Sequence, residues 1–206
     1  MEKQEIKTYT PFIVPIQLNL IEDKKINKKL FDFSQAIKKN KGREVSNVGG
    51  FQSQQLSINA QPFINFFDII KPYLNLYVDV FEMQSQYVVE PDSAWLNINK
   101  KNNFNRLHNH AGGVLPCDFC GVYYIKAEKN QGQIQFINPN TFTEHTPMFN
   151  REIKSNKNCF NSHTFNVFPE TGNLILFPNN LPHCVFPNKT NKERISLAFN
   201  LRIKWF

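Results

Sequence analysis

Apolar residues recur along this chain with a helical period in the N-terminal part and a strand period after about residue 91. Between Asp23 and Lys39, Ile26, Leu30, Phe33 and Ile37 return every three or four residues among lysines. That spacing predicts an amphipathic helix with one buried stripe, ended by Lys41-Gly42. A second helix is predicted from Pro62, with Phe63, Phe66, Phe67, Ile70, Leu74 and Phe81 on one period and Pro72 expected to kink or divide it. Ahead of both, Thr10 to Leu18 reads as a short strand that Pro11 and Pro15 confine to a sheet edge. Beyond Pro91 the segments Ser93–Asn99, Cys120–Lys126, Gly132–Ile137, Gly172–Phe177 and Arg194–Trp205 are strand-like, with Asn, Pro and Gly turns between them. Short strands so punctuated predict a sandwich or open barrel. The expected organisation is a single domain over 1–206: a helical support region to about residue 90, then a mainly β core.

Two stretches break both periods. Ser46 to Ser53 (Ser-Asn-Val-Gly-Gly-Phe-Gln-Ser) predicts a tight loop, either a plain turn or a place where backbone approaches something closely. Thr141 to Asn166 is long, polar and aperiodic, the character of a loop that covers a site. Its His145 and His163 are read as ordinary loop residues.

Composition narrows the picture. With 41% hydrophobic residues and 20 phenylalanines among 206 positions, the chain can build a large core. It has no run of 18 apolar residues and no apolar stretch behind its charged start, so a soluble, unexported, cytoplasmic protein without membrane contact is expected. The net charge of +7 comes from scattered lysines. No basic stripe interleaved with aromatics accompanies it, which argues against a nucleic-acid partner and for a solvated surface. Among the four cysteines, Cys117 and Cys120 have CxxC spacing, but no second pair completes a zinc site, and the segment runs into a strand instead of opening a helix. Reduced, partly buried thiols are the expected state.

Candidate chemistry lies at the ends of the β segments. His108 and His110 would project to one face of an extended segment, and neutral imidazole is a common transition-metal ligand. Alone, such a pair is weak, since exposed loops carry it by chance. His183 follows Leu174–Pro178 and a short Pro-containing turn, where a third ligand can be presented. The last strand adds a stronger signal. Ile195, Leu197, Phe199, Leu201 and Ile203 alternate with Arg194, Ser196, Ala198, Asn200 and Arg202, so one face packs in a core and the other is small and polar. Arg194 with Ser196 suits a carboxylate, which a guanidinium grips by a two-pronged hydrogen bond.

Taken in order, Ser46–Ser53, Ala94-Trp-Leu-Asn97, His108-Asn-His110, Gly121-Val-Tyr-Tyr124, Pro169-Glu-Thr-Gly172, Leu176-Phe-Pro178, His183 and Arg194-Ile-Ser196 resemble the Fe(II)/2-oxoglutarate-dependent oxygenases, in particular a family found in bacteria and tailed phages. The resemblance extends from about Thr10 to the C-terminus. It implies a double-stranded β-helix (a jelly-roll, cupin-like fold) with supporting N-terminal helices. It also implies a dioxygenase that takes Fe(II), 2-oxoglutarate and O2 and hydroxylates a substrate, a small molecule or a protein side chain, with release of succinate and CO2. His108 and His183 then take metal-ligand positions, and Arg194 and Ser196 hold the C5 carboxylate of 2-oxoglutarate with Asn97 or Tyr124 assisting. The chain departs from the family pattern at His110, where a carboxylate is usual. Three readings follow: a three-histidine site; a vacancy for halide left by His110 and the non-ligating Gly112, with His108 outside the metal's coordination sphere; or Asp118 supplying the acid. The first is preferred. A homodimer is compatible with this resemblance. The rival functions are a non-catalytic jelly-roll binding or phage structural protein and a three-histidine cupin-type dioxygenase that does not use 2-oxoglutarate.

Overall fold

Local signals start the architecture. The computed structural model describes residues 13–112, 117–140 and 162–206. Strand β1 (Gln17–Leu20) leads into helix α1 (Lys24–Ile37), whose N-cap Asp23 accepts from the backbone N–H groups of Lys25 and Ile26 at 2.9 and 2.8 Å. Two very short strands follow, β2 (Asn47–Val48) and β3 (Phe51–Gln52), then helix α2 (Phe63–Asp79). The rest is β: β4 (Tyr87–Asn99), β5 (Phe104–His108), β6 (Phe119–Lys126), β7 (Ile134–Ile137), β8 (Thr164–Val167), β9 (Asn173–Pro178), β10 (His183–Val185) and β11 (Arg194–Trp205).

These strands form two antiparallel sheets. The larger has the order β1-β9-β6-β11-β4-β3 and the smaller β2-β5-β10-β7-β8. The larger sheet is buried on both faces. Its outer face meets the helices through Leu96, Tyr123, Leu174, Leu197 and Phe199, with the Phe66 ring 5.0 Å from Tyr123 and the Phe67 ring 5.3 Å from Phe199. Its inner face meets the smaller sheet in a second cluster that includes Tyr124, Ile134, Phe136, Ile175 and Phe177. The alternation of β11 is therefore a division of labour: odd positions join the helical core and even positions face the space between the sheets.

Several expectations need correction. Pro72 lies inside α2, which continues through it as one element. Proline removes one hydrogen bond, but Pro72 and Asp68, the carbonyl it leaves unpaired, are on the exposed side, while Phe66, Phe67, Ile70, Leu74, Tyr77 and Val78 hold the other side in the core. Phe81 lies beyond the end of α2 and instead packs its ring on Tyr77 and Phe119. The N-terminal region supplies more than helical support: β1 and β3 are the two edges of the larger sheet, and β2 is an edge of the smaller one. The long polar stretch is shorter than expected at its end, because Thr164 to Val167 pairs with β7 as a strand; its residues 141–161, with His145, lie outside the described residues. Among the described residues no helix is long and apolar enough to cross a membrane.

Candidate metal centre

The antiparallel register of β10 on β5 sets His183 directly opposite His108, the last residue of its strand. His110 follows in the turn after β5, and its backbone N–H donates to Asn179 O at 2.8 Å. One ring nitrogen from each of the three histidines lies within 4.8 Å of the others, and the His108 and His183 ring centroids are 4.4 Å apart.

Each imidazole is oriented through Nδ1. His108 Nδ1 lies 2.7 Å from Arg106 O, His183 Nδ1 2.9 Å from Leu181 O, and His110 Nδ1 2.8 Å from Asn200 Oδ1. Carbonyl oxygens only accept, so all three rings carry their proton on Nδ1 and leave the Nε2 lone pair free. Burial holds His108, His110 and His183 below the ordinary imidazole range; for His183, desolvation and then nearby His108 push it down to about 3. Neutral imidazoles with converging lone pairs are a donor set for a borderline transition metal such as Fe(II), Zn(II) or Ni(II). The residues therefore fit a metal ion.

Asn200, which the sequence reading left unassigned, contacts His110 and belongs to the same polar face as Arg194 and Ser196. Its NH2 donates to Ser93 Oγ at 3.1 Å, which turns its oxygen toward His110. Cys120, on β6, lies on the other side, with Sγ 3.1 Å from His110 Nδ1. Hydrogen bonding to Cys117 and burial push the Cys120 thiol far above its ordinary range, so it remains protonated. Replacing Asn200 with leucine leaves the Nδ1–H of His110 without its oxygen acceptor. A loss of about 10–100-fold in metal affinity is expected, as for other groups that orient a ligand, measurable by calorimetric titration of Ni(II).

Across the larger sheet, register aligns the even positions of β11 in rows. Arg194 stands opposite Asn99; Ser196 lies between Asn97 and Tyr124; Ala198 between Trp95 and Val122; Asn200 between Ser93 and Cys120. The cleft between the sheets thus has the histidines at one end, small or apolar side chains in its middle and a polar end around Arg194, with no carboxylate among its described lining residues. Asn97 Oδ1 is buried without a partner, and no hydrogen bond engages Ser196 Oγ or Tyr124 Oη among the described residues.

Arg194 is 3% exposed, and its Nη1 donates to Gln131 O at 2.6 Å, Gly132 O at 2.7 Å and Phe186 O at 3.4 Å. It has no acidic partner among the described residues. Burial pulls the guanidinium below its ordinary range and raises the Tyr124 hydroxyl above its own, so Tyr124 remains a neutral donor. A cation held by neutral carbonyls on one nitrogen leaves the others to take an anion. The turn that fixes it depends on Gly132, at φ +87°, where an added Cβ would lie 2.1 Å from Phe186 O. Gly132→Ala is expected to cost about 2 kcal/mol or more through backbone strain and this collision, read as a lower unfolding midpoint.

The other candidates are placed as follows. The Asp118 carboxylate accepts from Ile203 N–H at 2.7 Å and is not among the groups converging with the histidines. Gly112 is exposed in the turn after His110, with nothing within 4 Å of where its Cβ would stand. Cys117, Cys120 and Cys184 are free thiols.

Comparison with known proteins adds a consistent likeness. Residues 93–200 match the family described as "Putative 2OG-Fe(II) oxygenase". No curated protein matches the chain. Among solved structures it is similar to a prolyl-4-hydroxylase of Pseudomonas putida, with TM-score 0.61, 15% identity and coverage of 91% of this chain and 92% of that one. A viral collagen prolyl hydroxylase of Paramecium bursaria Chlorella virus-1, in complex with 2OG, gives TM-score 0.55 at 14% identity, covering 90% and 94%. HygX of Streptomyces hygroscopicus, with nickel, 2-oxoglutarate and hygromycin B bound, gives 0.57 at 11% identity, covering 92% and 83%. At these identities the likeness establishes the fold, a double-stranded β-helix.

Proposed function

The chain belongs to the 2OG-Fe(II) oxygenase family, and from that premise we propose that it is a 2-oxoglutarate-dependent dioxygenase that hydroxylates an organic substrate, with Fe(II) held by His108, His110 and His183. The observation that carries this reading is one cleft with two complementary ends: three imidazoles with free Nε2 atoms, and a buried arginine with no acidic partner among the described residues.

Bound together, Fe(II) and 2-oxoglutarate supply the oxidising chemistry, in which decarboxylation of the ketoacid to succinate and CO2 accompanies transfer of one oxygen atom of O2 to a C–H bond. The protein's part is binding and positioning. Arg194 accepts the far carboxylate on the guanidinium nitrogens not committed to Gln131, Gly132 and Phe186, and Ser196 Oγ and Tyr124 Oη add hydroxyl donors. Asn97, one row across on β4, has an amide free to meet the same molecule. Ala198 and Val122 line the middle of the cleft with small apolar side chains, and such apolar surroundings strengthen charge interactions at both ends. All three ligands are neutral, so the metal retains its full +2 charge, which favours a dianionic chelator over water.

Anaerobic titration of the protein with Fe(II) and then 2-oxoglutarate tests this directly. A visible charge-transfer band from the metal–ketoacid chelate is expected, followed by stoichiometric succinate under oxygen. Metal binding with no band and no succinate would instead indicate a three-histidine dioxygenase of another kind or a silent site.

A further inference from the structure

The Gly-Gly stretch has no part in the mechanism above, yet it stitches the two sheets together. β2 pairs with β5 in the smaller sheet, and β3, two residues later, pairs with β4 in the larger one. The turn between them needs Gly49, at φ +71°, where an added Cβ would lie 2.6 Å from Asn103 Nδ2. Asn47 fixes the segment from inside: its NH2 donates to Arg43 O and Gly50 O at 3.2 and 3.0 Å, and its Oδ1 accepts from Val45 N–H at 2.9 Å. Arg43 N–H closes the loop by donating to Gln52 O at 2.8 Å.

Two uncommitted polar side chains are thereby brought to the β4 side of the cleft. Gln52 stands directly opposite Asn97, which puts it on the cleft-facing side of the sheet. It is 3% exposed, and its Oε1 has no hydrogen-bond partner among the described residues. Arg43 lies over the Trp95 ring at 5.8 Å, has a buried Nε without a partner, and forms no ion pair among the described residues. Trp95 in turn is 5.6 Å from the His110 ring, so this corner adjoins the metal ligands. It starts in the row of Asn97 and Ser196, beside the Arg194 end, and runs through Trp95 in the next row toward the histidines.

A buried oxygen without a donor and a half-buried guanidinium without an acid each cost stability unless a ligand completes them. Their chemistry is complementary to a molecule that offers an N–H group and an anion. Resting on the oxygenase reading, we propose that Arg43, Trp95 and Gln52 form the subsite for the substrate that is oxidised, and that this substrate is a carboxylate bearing an N–H group, either a free amino acid or the terminal residue of a short peptide. Arg43 takes the carboxylate, Gln52 Oε1 accepts from the nitrogen, and Trp95 presents an apolar face that steers the intervening C–H groups toward the histidines.

The test uses the full-length protein loaded with Zn(II) and saturating 2-oxoglutarate, which binds without turning over. Loading is itself checked first, so a wild-type protein that takes up no 2-oxoglutarate sinks the oxygenase reading before the substrate question is asked. Saturation-transfer NMR and calorimetry then follow the standard amino acids, their carboxamides, their N,N,N-trimethyl forms, which carry no N–H, and N-acetylated tripeptides; the free acids and the tripeptides separate the two sources. At least one compound is expected to bind, with its carboxamide about tenfold or more weaker, the loss of one charge-assisted contact. Arg43→Gln should weaken the acid by the same factor and abolish its advantage over the carboxamide, with 2-oxoglutarate affinity unchanged within about twofold. Gln52→Leu should remove the preference over the N,N,N-trimethyl form without lowering the unfolding midpoint, because it deletes an unsatisfied group. The proposal is overturned if nothing in the panel binds, if carboxamides match the acids, or if inorganic phosphate competes better than any carboxylate. It is equally overturned if Arg43→Gln weakens 2-oxoglutarate as much as the acid, which would assign Arg43 to the cosubstrate.

Discussion

His183→Ala is expected to abolish succinate formation and to lower Fe(II) or Ni(II) affinity by more than about a hundredfold, beyond the range typical for loss of a group that merely orients a ligand. His183 is the most enclosed of the three histidines, at 3% exposure, and pairs across the sheet with His108. Its ring is packed by Phe177 at 4.9 Å and Phe136 at 5.9 Å, and burial keeps it neutral. No other side chain among the described residues can replace it, because the converging group consists of His108, His110 and His183 alone. The fold should survive, since β10 is held by backbone pairing with both β5 and β7. Metal calorimetry beside thermal melting of the metal-free protein separates the two effects; equal loss of melting temperature and metal affinity would identify a packing residue.

His110 demands the opposite of the usual carboxylate. Asn200 turns an oxygen toward position 110, a partner suited to the Nδ1–H of an imidazole and repellent to an acid. An aspartate there would face Asn200 Oδ1 in a buried setting. The surroundings are thus matched to histidine, and the convergence of His108 with His110 and His183 favours the three-histidine reading.

How much of this was legible in the sequence varied with the length and regularity of each element. Over its 12 residues β11 has two faces of clearly different chemistry, so its alternation announced both the core face and the polar face that begins at Arg194. The helices were equally plain, since Ile26 and Leu30, and likewise Phe66, Ile70 and Leu74, lie on single buried stripes. By contrast β5 inverts the rule, with Asn105 buried and Leu107 60% exposed. Asn105 is satisfied there by hydrogen bonds with Ser46 and Asn99, a compensation formed in space and invisible to periodicity. Strands β2, β3 and β10 span only two or three residues, too few for any period. The histidines could be named from residue type. That Asn200 fixes His110 and that Gln52 faces the cleft followed only from register.

Arg194→Ala is the second large effect, and it separates the two ends of the cleft. Truncating one partner of a buried, hydrogen-bonded charge pair costs about 2–5 kcal/mol, so 2-oxoglutarate affinity should fall roughly 30-fold to several-thousand-fold. Metal affinity without 2-oxoglutarate should be nearly unchanged, because none of the three imidazoles is hydrogen-bonded to Arg194. Lysine should not rescue the loss, since one ammonium cannot both satisfy Gln131, Gly132 and Phe186 and offer a two-pronged grip. Stability provides an independent readout. In the wild-type protein an anion relieves a buried cation that has no acidic partner among the described residues, and ligand at a hundredfold excess over its dissociation constant stabilises the folded state by about 2.7 kcal/mol. The further rise in melting temperature that 2-oxoglutarate adds to that of the metal alone is therefore expected in the wild type and should vanish in Arg194→Ala. If the variant instead loses metal and 2-oxoglutarate binding in equal measure, Arg194 braces the turn at Gly132 and the carboxylate is held elsewhere.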